Sequence, residues 1–437
     1  MGAEALGQVS EKYQLEEKAV RKVKRRLIWF LVVLYVFAFL DRINIGFAAL
    51  AMNKELGLTA TMFGFANTLL YLGYFFCSVP SNLMLARFGA SRWIPIILAG
   101  WGIASTATML ATSATGLYLI RTSVGIFEAG FVPGIFLYLT LWFPARHRAQ
   151  ANALFMLAMP ITMALGSPIS GALMDLKGMF GLSNWRLLFL FEGFPSVILG
   201  IAAWFYLTDR PSSAKWLSAA EKRTLEESIA AGETRQRAKT SVWSEILNPG
   251  ILVLGAIYFG LTMTMNTSAT WTPTIVHEML KARSFSVVGW IAAIPAFFTA
   301  IAMPIWSIHS DRRKERIWHM ILPMGLAAAG WLFVALSTDP DVKMVGLTLA
   351  TVGAFSTMAI FWTLPPHILS AAARPAGMAI LSSCGILASA LSPLMVGFFK
   401  DLTHSFVGIL IFEAAVLIAS AALTLLVPKR SVPALAR

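Results

Sequence analysis

The stretch FAFLDRINIGF (residues 37–47) sets an acid and a base, Asp41 and Arg42, side by side inside an apolar run. The run reads as one membrane-crossing helix over about residues 27–51, since roughly 20 apolar residues suffice to cross the hydrocarbon core. A charge at the centre of such a helix costs roughly 2.5–3.5 kcal/mol on insertion scales. Charged residues kept there usually face a protein interior or a water-filled cavity, not lipid. The stretch therefore predicts a polar site inside a membrane-embedded bundle.

The whole chain agrees with that reading. Its 437 residues are 57% hydrophobic and only 13% charged, with a mean hydropathy of +0.70. Soluble domains carry about 25% charged residues, so this chain could not cover a globular surface with polar groups. The net charge of +13 does not point to nucleic acid, because the basic residues sit between apolar segments and not on one polar domain. The two cysteines, Cys77 and Cys384, lie inside apolar segments and read as buried thiols.

Twelve spans are expected, in two sets of six: near 27–51, 62–86, 93–113, 117–143, 150–173 and 185–207, then near 250–272, 286–308, 317–337, 343–366, 377–399 and 405–427. This is an all-α integral membrane protein. Its expected units are an N-terminal segment (1–26), a first half (27–207), a linker (208–247), a second half (248–428) and a tail (429–437). The linker, with SAAEKRTLEESIAAGETRQRAKT, reads as partly helical and fully solvated. With both termini inside the cell, 26 of the 35 lysines and arginines fall in cytoplasmic segments and 7 in external ones. The excess of Lys and Arg in cytoplasmic loops fixes that orientation. ARFGASR (86–92) follows the second span and SDRRKER (310–316) the eighth. Matched basic turns at corresponding places point to duplicated halves, and substrate sites of such transporters lie between the halves near the midplane.

Four charges stand out as clear cases within spans: Asp41 and Arg42 in the first, Arg121 and Glu128 in the fourth. At a rise of about 1.5 Å per residue, Asp41 lies about 21 Å along its span and Glu128 about 20 Å along an oppositely directed one. Both are thus near mid-membrane. A separation of seven residues keeps Arg121 and Glu128 on one helix face, whereas Asp41 and Arg42 point about 100° apart and need different partners. Arginine is always charged and suits bidentate carboxylate binding. An anion that takes the arginine from a buried carboxylate removes its counter-ion and favours proton uptake. The alternative is a pair of ion bridges that only hold helices in register.

Gly125, Gly130, Pro133 and Gly134 read first as close-packing residues and second as a hinge. Tyr74, Tyr258, Trp271, Phe361 and Trp362 are candidates to line a cavity. The histidines form no metal-ligand pattern, and no nucleophile elbow, Walker loop or paired CxxC occurs. Neither an enzyme nor a metal or organic cofactor is expected; the coupling ion would be a proton.

FLDRINIGFAAL, and then RTSVGIFEAGFVPGIFLYLTLWFPARHRAQANALFMLAMPITMALGS, resemble the anion:cation symporter family of the major facilitator superfamily. WGIASTATM (101–109), LLFLFEGFPSVILG (187–200), AAIPAF (292–297) and MAIFWTLP (358–365) are similar to bacterial 4-hydroxyphenylacetate permeases, and tartrate and phthalate permeases share much of the pattern. The resemblance implies a monomeric, multi-pass symporter of the bacterial inner membrane that takes up a small organic anion with protons. It implies that Arg42 meets the substrate carboxylate, that Asp41 and Glu128 are protonatable, that Arg121 is their ion partner and that Tyr74 lines the pocket; Trp362 joins the substrate-binding set. Where sugar-acid members often carry polar residues, this chain has Phe39, Met159 and Ser382. Fewer partners for hydroxyl groups favour an aromatic acid such as 4-hydroxyphenylacetate; the alternative is a symporter or exchanger of tartrate or another small aliphatic or sugar-acid anion, ahead of a membrane sensor that does not transport. Ala86 stands where an acid is usual in the first basic turn, while Asp311 is kept in the second.

Overall fold

A computed structural model of the chain describes residues 2–176, 178–233, 249–281, 284–369 and 374–427. The later part of the linker and the tail lie outside the described residues. Among those described, twelve helices are long and apolar enough to cross a membrane, and no strand occurs. Spans 1 to 6 are Ser10–Glu55, Ala60–Phe88, Ala90–Leu110, Ala114–Trp142, Ala145–Met174 and Asn184–Tyr206. Spans 7 to 12 are Pro249–Leu280, Phe285–Arg313, Ile317–Leu336, Pro340–Phe361, Gly377–Thr403 and Val407–Thr424. Large apolar side chains such as Phe205, Phe76 and Trp290 stand exposed on the outside of the bundle, which suits lipid as the surrounding solvent.

Three span entries have side-chain caps from the residue types that physical chemistry favours there; before span 10, Asp339 accepts from the Asp341 and Val342 N–H groups. Thr59 accepts from the Met62 N–H before span 2, and Ser113 accepts from the Gly116 N–H before span 4. Span 3 begins differently. Its N–H at Ser91 and the Ser91 hydroxyl both donate to Asp209, which follows span 6. A Cβ at Gly89, where φ is +84°, would run into that carboxylate. Asp209 thus supplies an acid to a turn whose usual acid is replaced by Ala86. In the second half Asp311 pairs with Arg316 in its own turn.

The linker is not fully solvated. Its helix Ala219–Glu233 packs on the N-terminal helix Gly2–Val23, with Leu225, Ile229 and Glu221 buried. Lys12 meets Glu227, Lys22 meets Glu221, and Ser228 donates to Glu16. The amphipathic pattern that looked like a solvated helix buries its apolar stripe against another helix outside the bilayer.

The two sets of six spans meet at the end of the bundle away from the termini, through two copies of one device. Asp401, closing span 11, accepts from the N–H groups of Ala60 and Thr61 at the start of span 2. Asp175, after span 5, accepts from the N–H groups of Phe285 and Ser286 and the Ser284 hydroxyl at the start of span 8. Four residues before each aspartate a glycine lets the backbones touch: a Cβ at Gly397 would lie 2.2 Å from the Ala60 carbonyl, and one at Gly171 2.6 Å from the Phe285 carbonyl. One turn into the facing helices, Gly64 abuts the Pro393 carbonyl and Gly289 the Ser167 carbonyl. The duplication is therefore more visible here than in the basic turns. A carboxylate at a helix N-terminus satisfies orphan N–H groups and complements the helix dipole.

Every described hydrogen bond between the two sets lies between this end and the level of Tyr71, where Thr68 and Tyr71 reach Ala390 and Asn266. Toward the termini none is found among the described residues. The described hydrogen bonds thus tie the two sets together at the end away from the termini.

Partial burial alone would raise the Asp175 pKa, but its hydroxyl and backbone N–H donors outweigh that and hold it down to about 2. A depressed pKa means that this contact is at full strength above the usual carboxylate range and is lost only as pH falls through about 2. The Asp175 latch is thus insensitive to pH near neutrality. Asp175→Asn combined with Asp401→Asn should weaken the far-end seal on the order of tenfold or more, given about 1.5–3 kcal/mol per charged hydrogen bond. A Thr68→Cys reporter in a background without Cys77 and Cys384, labelled from the far side, measures this. An unchanged labelling rate would show that the two aspartates do not hold the seal.

Candidate functional site

Arg42 of span 1 and Glu128 of span 4 form an ion pair inside the bundle. The Arg42 Nη2 lies 2.5 Å and its Nε 2.7 Å from Glu128 Oε1. The arginine side chain is 27% exposed and Glu128 only 5%. The cation thus faces the cavity, with the carboxylate behind it. Span 4 breaks immediately beyond: its first helix ends at Glu128, and Gly130 has φ of +86° before Phe131 restarts the helix. A Cβ at Gly130 would strike the Ser81 side chain, and one at Gly125 would lie 2.0 Å from the Leu70 carbonyl. The glycines therefore serve close packing, and Gly130 also provides the break.

Asp41 and Arg42 have separate partners, as the helical step requires. Asp41 turns into the first half and accepts from Trp101 Nε1 at 2.5 Å, Ser105 Oγ at 2.6 Å and Asn44 Nδ2 at 3.0 Å. Arg121 does not bridge to Glu128. It donates to Asn67 Oδ1 at 3.0 Å and stays within electrostatic reach of Asp41, Glu128 and Arg42. Sharing a helix face left the partner open: Arg42 on a facing helix reaches the carboxylate directly.

Tyr74 lies under the Arg42 guanidinium, 5.7 Å from ring centroid to Cζ. Tyr258 stacks on Phe361 at 5.0 Å and meets Trp362 edge-on at 5.0 Å, forming an aromatic wall on the second half. A Cβ at Gly385 would press into the Tyr258 ring, so that glycine makes room for the wall. Tyr258 of the second half stands near Tyr74 and Tyr35 of the first. Between the halves, the Tyr71 hydroxyl donates to Asn266 Oδ1 at 2.5 Å, and Asn266 Nδ2 donates to Ser389 Oγ at 2.8 Å.

The remaining candidates divide. Phe39 is buried and meets Tyr35 edge-on, so it supports the site from behind. Met159 is half-buried against the apolar core, and Ser382 is exposed on span 11. Trp271 is away from the site. It is fully buried near the far-end seal, between Phe63 and Phe406.

Sequence reasoning missed two buried carboxyls and one polar trio. Glu192 in span 6 accepts from Ser170, and Glu413 in span 12 accepts from Thr264 and Thr267. Neither has an ion pair among the described residues. The signal was present as matched FE pairs, FLFEGF and LIFEAA, in corresponding spans of the two halves. Tyr71, Asn266 and Ser389 gave no such signal, because their contact crosses between helices distant in sequence.

The chain resembles known proteins over nearly its whole length. The sequence model described as Major Facilitator Superfamily matches residues 31–393 and 282–437. A protein of Agrobacterium vitis named "Putative tartrate transporter" is 42% identical over 418 residues, covering 95% of this chain and 93% of its own. The metabolite transport protein NicT of Pseudomonas putida, so named with the same qualifier, is 35% identical over 94% of each chain. Among solved structures, a D-xylose-proton symporter superposes with a TM-score of 0.72 at 14% identity, over 93% of this chain and 98% of that one. An inward-facing, occupied bacterial homologue of the human lysosomal transporter Spinster gives 0.73 at 16%, over 94% and 99%. At these identities the structural likeness is one of fold.

Removing one member of a buried ion pair costs about 3–5 kcal/mol, because the other charge is left uncompensated. Arg42→Ala and Glu128→Ala should each lower stability by about that amount, and the double variant by less than their sum. Thermal unfolding in detergent gives the cycle; additive losses would contradict a direct pair.

Proposed function

The chain belongs to the Major Facilitator Superfamily, and from that premise we propose that it is a proton-coupled symporter of a small organic carboxylate, with hydroxylated acids of the tartrate kind as its first substrate class. The observation that carries this is the Arg42–Glu128 pair, in which the cation is open to the cavity and the carboxylate is not. A substrate carboxylate can approach Arg42 and take over its donors. Glu128 then loses its counter-ion in a low-dielectric site, where a lone carboxylate is costly and proton uptake relieves the cost. Proton and anion become bound together. Arg121, on the same span, keeps the local charge balanced, and Asp41 holds the neighbouring turn of span 1 through its three donors.

The tartrate relatives support the hydroxylated class, and so does the site chemistry. Tyr71, Asn266 and Ser389 offer hydroxyl and amide groups to an acid that carries hydroxyls. Phe39 withdraws from the cavity and so cannot count against such a substrate. An aromatic acid such as 4-hydroxyphenylacetate is the second reading, favoured by the Tyr258–Phe361–Trp362 wall. Transport would proceed by rocking of the halves about the fixed site, and the excess of basic residues in the terminal-side loops supports a cytoplasmic location for both termini.

Uptake of radiolabelled tartrate into proteoliposomes should rise with an inward proton gradient and be competed weakly by 4-hydroxyphenylacetate. The reverse order of competition would transfer the assignment to the aromatic class; uptake indifferent to the gradient would remove the coupling. Glu128→Gln should abolish gradient-driven accumulation and retain counterflow. Full accumulation by that variant would take Glu128 out of the coupling step.

A further inference from the structure

The basic run RKVKRR (21–26) that leads into span 1 is divided by its contacts. Lys22 is paired with Glu221, and the Arg26 guanidinium lies over the rings of Tyr206 and Trp216. Arg21 and Arg25 are exposed and have no ion pair among the described residues. Both line a groove of about 280 Å³ between span 1 and span 5, as does Lys24, which bonds to Gln150. A π-helical turn, Lys24–Ile28, lies in this segment. The side chains run down the helix in two rows four residues apart: Arg21, Arg25 and Trp29, and Lys24, Ile28 and Val32. Residues at that spacing share a helix face.

Below its basic rim the groove is entirely apolar. Trp29, Ile28 and Val32 form one wall, and Leu154, Leu157 and Ile161 of span 5 the other. No acidic residue lines it. Trp29 is 62% exposed and stands one turn below Arg25, the depth at which tryptophan marks a membrane–water interface. The cations therefore lie at headgroup level and the apolar walls at the level of acyl chains. Among the possible occupants, an anionic phospholipid alone matches both parts: phosphate for the arginines and hydrocarbon for the walls. A small anion would leave the walls wet, and a zwitterionic lipid would bring a cation of its own beside the arginines.

We propose that this groove binds an anionic phospholipid in the leaflet on the side of the termini, its phosphate held by Arg21 and Arg25 and one acyl chain lying between spans 1 and 5. Basic pockets at helix ends hold such headgroups, and each cation near the surface adds roughly 1 kcal/mol of attraction. The site stands apart from the transport reading and uses none of its residues.

The test is native mass spectrometry of the purified full chain with an equimolar mixture of dioleoyl phosphatidylglycerol and dioleoyl phosphatidylcholine. The wild type should retain one phosphatidylglycerol with a preference on the order of tenfold, from two cations. Arg21→Gln with Arg25→Gln should erase the preference. Ile161→Trp should reduce retention with the charges intact, because it fills the apolar part. Arg87→Gln with Arg92→Gln, in another basic turn, should change nothing; thermal unfolding confirms that each variant is folded. An unaltered preference in the Arg21/Arg25 variant would overturn the site. Full retention by a folded Ile161→Trp variant would reduce it to surface electrostatics, and displacement of the lipid by millimolar inorganic phosphate would make it an anion site and not a lipid site.

Discussion

The pairing of Arg42 with Glu128 is the constraint around which the rest of the molecule is arranged. Two opposite charges near mid-membrane are tolerable only if each has the other, and only if the bundle shields them from lipid. The glycine contacts follow from that need. Gly125 lets span 4 press against Leu70 of span 2, and Gly130 breaks span 4 directly after the carboxylate. Asp41, one residue from Arg42, is satisfied by three neutral donors and so does not compete for the guanidinium.

The seal at the far end answers a different demand. Alternating access requires an interface that closes firmly and reopens, which a large continuous apolar surface would not readily do. Here closure relies on backbone contact at glycines and on two aspartates that each cap a helix of the opposite set. Such contacts are specific in geometry and limited in area. The same device occurs twice because the halves are duplicated, with Gly171 and Asp175 answering to Gly397 and Asp401.

Much of this was legible in the sequence. Length and hydropathy located all twelve spans, with ends off by eight residues where span 7 runs on to Leu280 and by 17 where the helix of span 1 already begins at Ser10. The membrane charges pointed to the buried cluster around Arg42 and Glu128. What the sequence could not supply was pairing. Arg121 and Glu128 share a face, but the nearest cation to Glu128 comes from span 1, and only packing decides that. Glu192 and Glu413 lay inside apolar runs and were passed over, although their matched FE context marks them as a duplicated feature. Trp271 illustrates the limit for aromatics: its depth along span 7, next to Phe63 and Phe406, places it in the seal. The linker helix was recognised, but its partner, the N-terminal helix, lies some 200 residues away in sequence, beyond the reach of any local pattern.

The most direct test of the central claim is the proton balance of binding itself. In weakly buffered solution, a pH-indicator dye reports protons taken up when tartrate is added to the purified protein in detergent. If the anion displaces Glu128 from Arg42, binding should withdraw protons from solution, close to one for each anion bound, and Glu128→Gln should bind without that uptake. Anion binding with no proton change in the wild type, or an equal change in the variant, would contradict the exchange on which the coupling rests.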